Sequence, residues 1–487
     1  MVGNSYVAIL IKMAGFYIEN FGCRAARADG EAVSARLRSE GLSEQNLSEA
    51  DVVVINTCSV TAEADRDARA FVRKARRLNS KAKVVITGCY AQRAPEELAA
   101  LDGVTAVVGN SHKGLLPRIV TEIVQSLAAS TPPSEATLIP ATRLLLDSGH
   151  AAIWADDSFA HSFIEEAQVV PGSQTRPNLK IQEGCSNRCT FCVIPTTRGA
   201  SRSLPAEKVL AQVRGFVAAG GQELVISGIN LGRWGHDLPE KQSLTGLVRA
   251  ILTETGLARL RLSSIEPMDW APELISLMRD FGSLNLARHA HLPLQSGSDA
   301  VLRRMHRRYR PWHYEQKTTA LVEAQPDLAL GADVMIGFPG ETDAEFRETY
   351  DLIASLPFAY LHLFPFSPRP GTRGWELHQR TPVPAQAVTE RMAVLRALAA
   401  EKSRSFRSRF IGQSLPVITL HTPPELASHG HTSALTDNYL PVELDANLPS
   451  NQLIDVRVTG INADGALLCS PNSASVTSSR EELVACT

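Results

Sequence analysis

Three cysteines fall within eight residues: Cys185-Ser186-Asn187-Arg188-Cys189-Thr190-Phe191-Cys192. A C-x3-C-x2-C loop this short can turn three sulfurs toward one centre, and that constrains the chain more than any other feature. Soft thiolates select zinc or an iron–sulfur cluster. A structural zinc takes four protein ligands, and no other Cys or His lies nearby in sequence. A cubane held by three cysteines instead leaves one iron open to a substrate. The loop follows the apolar run Leu179–Gln182, which reads as the first strand of an alternating β/α segment. Catalytic loops of α/β barrels sit at that strand end.

Five further cysteines are Cys23, Cys58, Cys89, Cys469 and Cys486. An even total of eight would suit disulfides in a small secreted protein, but 487 residues is enough for cores that need no staples. Tyr6–Ile11 is apolar, yet no positive charge precedes it and no small-residue cleavage site follows. We therefore expect a soluble cytoplasmic protein, with Met13 as a second candidate start. Cys23, Cys58 and Cys89 each follow a strand candidate, in Asn20-Phe21-Gly22-Cys23, Ile55-Asn56-Thr57-Cys58 and Ile86-Thr87-Gly88-Cys89. Their separations are about one βα unit. In a parallel sheet the C-terminal strand ends share one edge, so three distant cysteines can converge there. Each should also lie near a helix N-terminus, which favours the thiolate. A second three-cysteine cluster site is the expectation. Cys469 and Cys486 read as structural or incidental.

Alternation of apolar runs with helical periods divides the chain. Residues 14–125 give an N-terminal domain with an open parallel sheet. Residues 126–177, with Thr131-Pro132-Pro133-Ser134 and Val170-Pro171-Gly172-Ser173, read as a linker or insertion. Residues 178–408 alternate again, with strands expected at Leu179–Gln182, Leu224–Ser227, Arg259–Ser263, Ala290–Leu292, Ala332–Ile336 and Tyr360–Phe364. Six such units suggest a partial or full (β/α) barrel. Residues 409–487 have short apolar runs between turn residues and read as a small β barrel. The fold class is therefore α/β with a C-terminal β barrel. No apolar run is long enough for a spanning helix. Hydrolytic motifs are absent: there is no Walker A loop, no H-E-x-x-H and no G-x-S-x-G.

The C-x3-C-x2-C loop resembles that of the radical S-adenosylmethionine (SAM) superfamily, with Phe191 at the aromatic position before the last cysteine. Gly220-Gly221-Gln222-Glu223 resembles the superfamily's Gly-Gly-Glu element, with Gln inserted. Two three-cysteine sites on one chain resemble the methylthiotransferases of that superfamily. The likeness extends to Ile194-Pro195-Thr196-Thr197-Arg198-Gly199, His291-Leu292-Pro293-Leu294-Gln295-Ser296-Gly297-Ser298-Asp299 and Gly337-Phe338-Pro339-Gly340-Glu341-Thr342. Leu262-Ser263-Ser264-Ile265-Glu266-Pro267 and Phe364 through Thr372 are most similar to the branch acting on N6-threonylcarbamoyladenosine of tRNA.

The resemblance implies two 4Fe-4S clusters, on Cys23/Cys58/Cys89 and on Cys185/Cys189/Cys192, and SAM as cofactor. One SAM methylates sulfur carried by the first cluster; a second is cleaved at the other, and its radical takes hydrogen from carbon 2 of the adenine. It implies SAM contacts from Phe191, Gly221, Glu223, Ser264, Glu266, Gln295 and Ile336, the polar members lying at C-terminal strand ends. It implies a transferase, tRNA as partner, a flavodoxin or ferredoxin as electron donor, a TRAM-like C-terminal barrel, and a monomer. Two alternative substrates stay open, isopentenyladenosine of tRNA and an aspartate of a ribosomal protein. A non-enzymatic iron–sulfur or zinc protein that binds RNA is the competing class.

Charge bears on the partner. Forty-nine basic against 51 acidic residues leave no general polycationic coat. The run Arg303-Arg304-Met305-His306-Arg307-Arg308-Tyr309-Arg310 is the candidate phosphate grip, through Arg303, Arg304, Arg307, Arg308 and Arg310. The basic helix at 389–410 invites the same reading. From Arg409 onward there are three basic and eight acidic residues, so the C-terminal barrel offers few phosphate contacts.

Overall fold

The computed structural model describes residues 14–128, 150–159 and 175–472. The chain forms two compact units, Met1–Ala167 with Thr196–Gly199, and Gln168–Pro195 with Ala200–Thr487.

The first unit holds strands β1 (Gly15–Asn20), β2 (Ser43–Glu44), β3 (Val52–Thr57), β4 (Lys83–Gly88), β5 (Val104–Gly109) and β6 (Ala152–Trp154). They make one parallel sheet in the order β2-β1-β3-β4-β5-β6. The unbroken Val52-Val53-Val54-Ile55 run is explained by burial on both faces. Val53 and Ile55 pack with Phe71 and Val72 of helix Ala62–Leu78. Val52 and Val54 pack with Val33 and Leu37 of helix Arg24–Ser39 and with Ile119 and Val120 of helix Leu116–Ala128. Each such side chain, fully buried, contributes about 1.5–3 kcal/mol.

Within residues 126–177, read from the sequence as a linker or insertion, the structure adds strand β6. It pairs in parallel with β5, and the chain after it is held by the Gln92 side-chain amide, which donates to the Asp156 carbonyl at 2.7 Å. A three-residue strand is too short to show a period, which is why the sequence pattern hid it. The other residues of that stretch at 129–149 and 160–174, the alternative start Met13, and Cys486 lie outside the described residues.

In the second unit, β7 (Asn178–Glu183), β8 (Arg202–Ser203), β9 (Glu223–Gly228) and β10 (Arg259–Leu262) form a sheet ordered β10-β9-β7-β8. Strands β11 (His289–His291), β12 (Ala329–Ile336) and β13 (Phe358–Pro365) form a second, parallel one. Leu260 joins the two, donating to the Asn285 carbonyl and accepting from the Ala287 amide, both at 2.8 Å. The result is a partial barrel of six parallel strands, edged by the short antiparallel β8.

Strands β14 (Ser414–Thr419), β15 (Thr432–Thr436), β16 (Pro441–Leu444), β17 (Leu453–Ile461) and β18 (Leu467–Pro471) close into a small barrel. Its core includes Val417, Val442, Leu444, Val456, Leu467 and the buried Cys469, together with Phe406 and Phe410. The helix Ala385–Ser408 commits part of the basic face that its sequence suggests, while Arg396 and Arg404 stay exposed. Arg391 is buried against Glu341 at 2.8 Å and Asp343 at 2.7 Å, and Lys402 donates to the Ala354 and Leu356 carbonyls at 2.7 Å. Among the described residues no helix is long and apolar enough to cross a membrane.

Candidate active site

In the first unit β1, β3 and β4 are sheet neighbours, and each delivers one cysteine at its C-terminal end. Cys23 caps helix Arg24–Ser39, Cys58 follows β3, and Cys89 opens helix Cys89–Arg93. Two glycines permit the convergence. Gly22 has φ +105°, and a Cβ there would stand 2.4 Å from the Cys58 Cβ; Gly88 has φ +98°, and its Cβ would stand 2.3 Å from the Thr57 carbonyl oxygen. Any other residue would push the cysteine loops apart. Burial raises the Cys58 thiol to about 12, and the nearby Cys89 and Cys23 add to the shift. The expected helix-end lowering is thus outweighed at Cys58 by desolvation.

Two buried donors aim at Cys89. Arg198 Nε stands 3.2 Å from its sulfur and Asn110 Nδ2 stands 3.5 Å from it. Arg198 is held by Asp29 at 3.1 Å, and Lys113 also pairs with Asp29. These residues were missed from the sequence. Arg198 lies in the Ile194-Pro195-Thr196-Thr197-Arg198-Gly199 segment, whose spacing gives no sign of a partner 109 residues away.

In the second unit the C-x3-C-x2-C loop leaves β7 through Gly184 at φ +70°. Cys185 accepts a hydrogen bond from the Asn187 amide at 3.4 Å and stands 3.6 Å from Asn230 Nδ2. Arg307 Nη1 stands 3.3 Å from the Cys189 sulfur. Burial, together with Cys189 and Cys185, raises the Cys192 thiol to about 12. Three crowded thiols with N–H donors and a guanidinium around them match the donor set of a cluster-binding loop.

The expected SAM residues separate into two groups. Gln295 is buried after β11, with its backbone in the left-handed region at φ 62°. Its Oε1 has no partner among the described residues. A strained residue with a waiting acceptor suits a ligand. Ile336 ends β12 and is buried, and Phe191 is half-buried on the cysteine loop. Ser264 Oγ meets His291 Nδ1 at 3.1 Å, and Glu266 pairs with Arg307. These five residues lie in the cysteine loop or at C-terminal strand ends.

Glu223 and Gly221 do not. Glu223 is the first residue of β9, at the opposite end of the strand. It is fully buried among Arg261 at 2.8 Å, Arg259 at 3.3 Å and Arg176 at 3.6 Å. Burial would raise its carboxyl, but the three guanidiniums prevail and hold it below its ordinary range. A Cβ on Gly221 would stand 2.2 Å from the Phe216 ring, so this glycine lets the helix pack against the strand entry. The Gly220–Glu223 element is a helix-to-strand junction. The side chain beyond the C-terminal end of β9 is Asn230.

The arginine run is corrected in the same way. Arg307 is buried, pairs with Glu266 and approaches Cys189, so it cannot grip phosphate. Arg304 is clamped by both oxygens of Glu345 at 2.8 Å. Arg310 holds Asp299 at 3.1 Å and donates to the Arg307 and Tyr309 carbonyls. Arg303 and Arg308 keep exposed side chains, beside Asp299 and Asp269. Arg308 also lines an open cleft of about 560 Å³ with Ser186, Asn187, Asn230, Arg233 and His236.

Comparison with known proteins agrees with this architecture. Residues 15–109 match the uncharacterized protein family UPF0004, and residues 179–353 match the Radical SAM superfamily. The chain is 33% identical to the threonylcarbamoyladenosine tRNA methylthiotransferase of Aquifex aeolicus, over 90% of this chain and 99% of that protein. It is 34% identical to the enzyme of the same description from Bacillus subtilis, over 88% and 90%. It is 31% identical to the tRNA-2-methylthio-N(6)-dimethylallyladenosine synthase of Geobacter metallireducens, over 91% and 95%. In fold, it is similar to the radical S-adenosylmethionine methyltransferase TsrM of Kitasatospora setae, solved with cobalamin and a [4Fe-4S] cluster, at TM-score 0.50 and 16% identity over 76% of this chain and 78% of that one. With its cysteine loop at the mouth of a six-stranded partial barrel and relatives matched almost end to end, the chain is a transferase and belongs to the radical SAM methylthiotransferase family.

Proposed function

We propose that this enzyme inserts a methylthio group at carbon 2 of N6-threonylcarbamoyladenosine beside the anticodon of tRNA. One 4Fe-4S cluster is held by Cys185, Cys189 and Cys192 and a second by Cys23, Cys58 and Cys89. The observation that carries the reading is that each cysteine set follows the C-terminal ends of parallel strands, β1, β3 and β4 for one and β7 for the other, and ligands bind at such strand ends. The substrate follows from what the relatives from Aquifex aeolicus and Bacillus subtilis are named for.

When bound, the clusters supply electrons and an open iron, which the protein's own side chains cannot. The chain's part is to orient and to exclude water. Arg307 and Asn230 donate toward Cys189 and Cys185. Gln295 offers its unpartnered Oε1 to the cofactor, and Ile336 gives the adenine an apolar wall. A flavodoxin or ferredoxin supplies the electrons, and the exposed Arg303 and Arg308 meet tRNA phosphates.

The dimethylallyladenosine synthase relative supports isopentenyladenosine as the second reading. Mass spectrometry of tRNA nucleosides from a deletion strain and its complement decides between them. Loss of the methylthio mark from threonylcarbamoyladenosine alone is expected. Loss from isopentenyladenosine instead would transfer the assignment. Unchanged nucleosides would move it to the ribosomal aspartate.

A further inference from the structure

One layer of the six-stranded partial barrel carries three metal-ligating side chains. His291 ends β11, Asp333 lies within β12, and His362 lies opposite Asp333 in β13. His291 Nε2 is 3.4 Å from Asp333 Oδ1, and His362 Nδ1 is 3.2 Å from the same oxygen. One ligand atom from each of the three lies within 4.8 Å of the others. Two donors bound to one ion at about 2.0–2.2 Å stand roughly 3.0–3.5 Å apart, so these side chains need little movement to share one.

The second sphere is also in place. His291 Nδ1 meets Ser264 Oγ at 3.1 Å, which orients the ring and turns Nε2 toward Asp333. Metal-bound imidazoles are held through their other nitrogen in this manner. The site is graded in access: the side chains of His291, Asp333 and His362 are 9%, 28% and 61% exposed. It opens at His362 and is anchored at His291. Ser264 lies two residues from Glu266, whose partner Arg307 approaches Cys189, so the triad adjoins the mouth of the radical site.

We propose that His291, Asp333 and His362 form a binding site for a divalent first-row transition ion. Two imidazoles and one carboxylate favour zinc, manganese or ferrous iron over magnesium or calcium, which prefer oxygen-only cages. Three protein ligands leave at least one position open, the arrangement of sites that bind a further ligand. That ligand is an oxygen donor. On the substrate reading above, and only there, it is the carboxylate of the threonylcarbamoyl group, which isopentenyladenosine lacks.

Manganese binding tests the site without substrate. In holoenzyme with its clusters oxidised and diamagnetic, the six-line EPR signal of free Mn2+ is followed as protein is added. The expected result is one ion bound per chain, displaced by zinc, which stands above manganese in affinity for such donors. His362→Ala, at an exposed position that leaves the fold intact, is expected to weaken binding at least tenfold. Asp333→Asn is expected to do the same, with cluster absorbance and thermal unfolding as controls for folding. No binding up to millimolar Mn2+, or equal binding by wild type and His362→Ala, would overturn the proposal and leave the triad a hydrogen-bonded network. Neither result depends on the tRNA nucleoside, so failure here and failure of the substrate assignment are read separately.

Discussion

Arg198 stands 3.2 Å from the sulfur of Cys89 through Nε while its Nη1 holds Asp29 at 3.1 Å. Arg198 and Asp29 are buried, as is Lys113 on the same carboxylate. A guanidinium removed from water must be paired, and Asp29 meets that need while fixing the direction of Nε. The N–H group then stabilises negative charge on the thiolate and on whatever that thiolate ligates.

Replacing Arg198 by glutamine removes this charge. On the proposed function, the cluster on Cys23, Cys58 and Cys89 should then reduce at a lower potential by tens of millivolts, since 59 mV in a one-electron couple corresponds to about 1.4 kcal/mol. An EPR-monitored redox titration measures it, in a background lacking Cys185, Cys189 and Cys192. An unshifted midpoint at full iron content would show that Arg198 serves only to pack.

Cys89→Ala separates the two cysteine sets. Reductive cleavage of SAM should persist at the Cys185/Cys189/Cys192 site, while methylthio transfer to tRNA is lost. Chromatography of 5′-deoxyadenosine beside nucleoside mass spectrometry gives both readouts. Parallel loss of the two activities would refute the division of labour.

Glu223→Gln should destabilise the second unit without weakening SAM binding. Removing the carboxylate leaves Arg259 and Arg261 buried without their charge partner, a cost of about 3–5 kcal/mol. Because the native carboxyl is held below its ordinary pKa, its stabilisation is present above about pH 4.3 and is lost as pH falls toward the native value. Thermal melts across pH should therefore lose part of their acid dependence in the variant. A large drop in SAM affinity with an unchanged melt would restore Glu223 to the cofactor pocket.

Arg307 bridges Glu266 and Cys189, so its geometry matters more than its charge alone. Arg307→Lys keeps the charge and loses the fork. Reductive SAM cleavage should fall at least tenfold with iron content preserved. A cleavage rate equal to wild type would argue that the pair is merely structural.

Arg303 and Arg308 divide from Arg304 in the same run. Arg308→Ala should weaken tRNA binding and lower the salt slope of log K by about one, the signature of one lost phosphate contact. Arg304 is already committed to Glu345, so Arg304→Ala should leave the salt slope nearly unchanged. Filter-binding across a salt series distinguishes the two.

The sequence by itself determined the six cysteines and the strand ends that carry them, because a cysteine at the end of an apolar run needs only the period of a parallel sheet to be placed. It also determined the alternation of strands and helices and the small terminal barrel. It misplaced Glu223, since Gly-Gly before a charged residue reads the same on either end of a strand, and only packing fixed which end faced the cysteines. It also took Arg307 for a surface cation. Composition records charge but not burial, and burial followed from partners at Glu266 and Cys189, 41 and 118 residues away. Tertiary structure alone brought Arg198 to Cys89 and set His291, Asp333 and His362 in one layer. Such meetings depend on strand order and register, which no local spacing encodes.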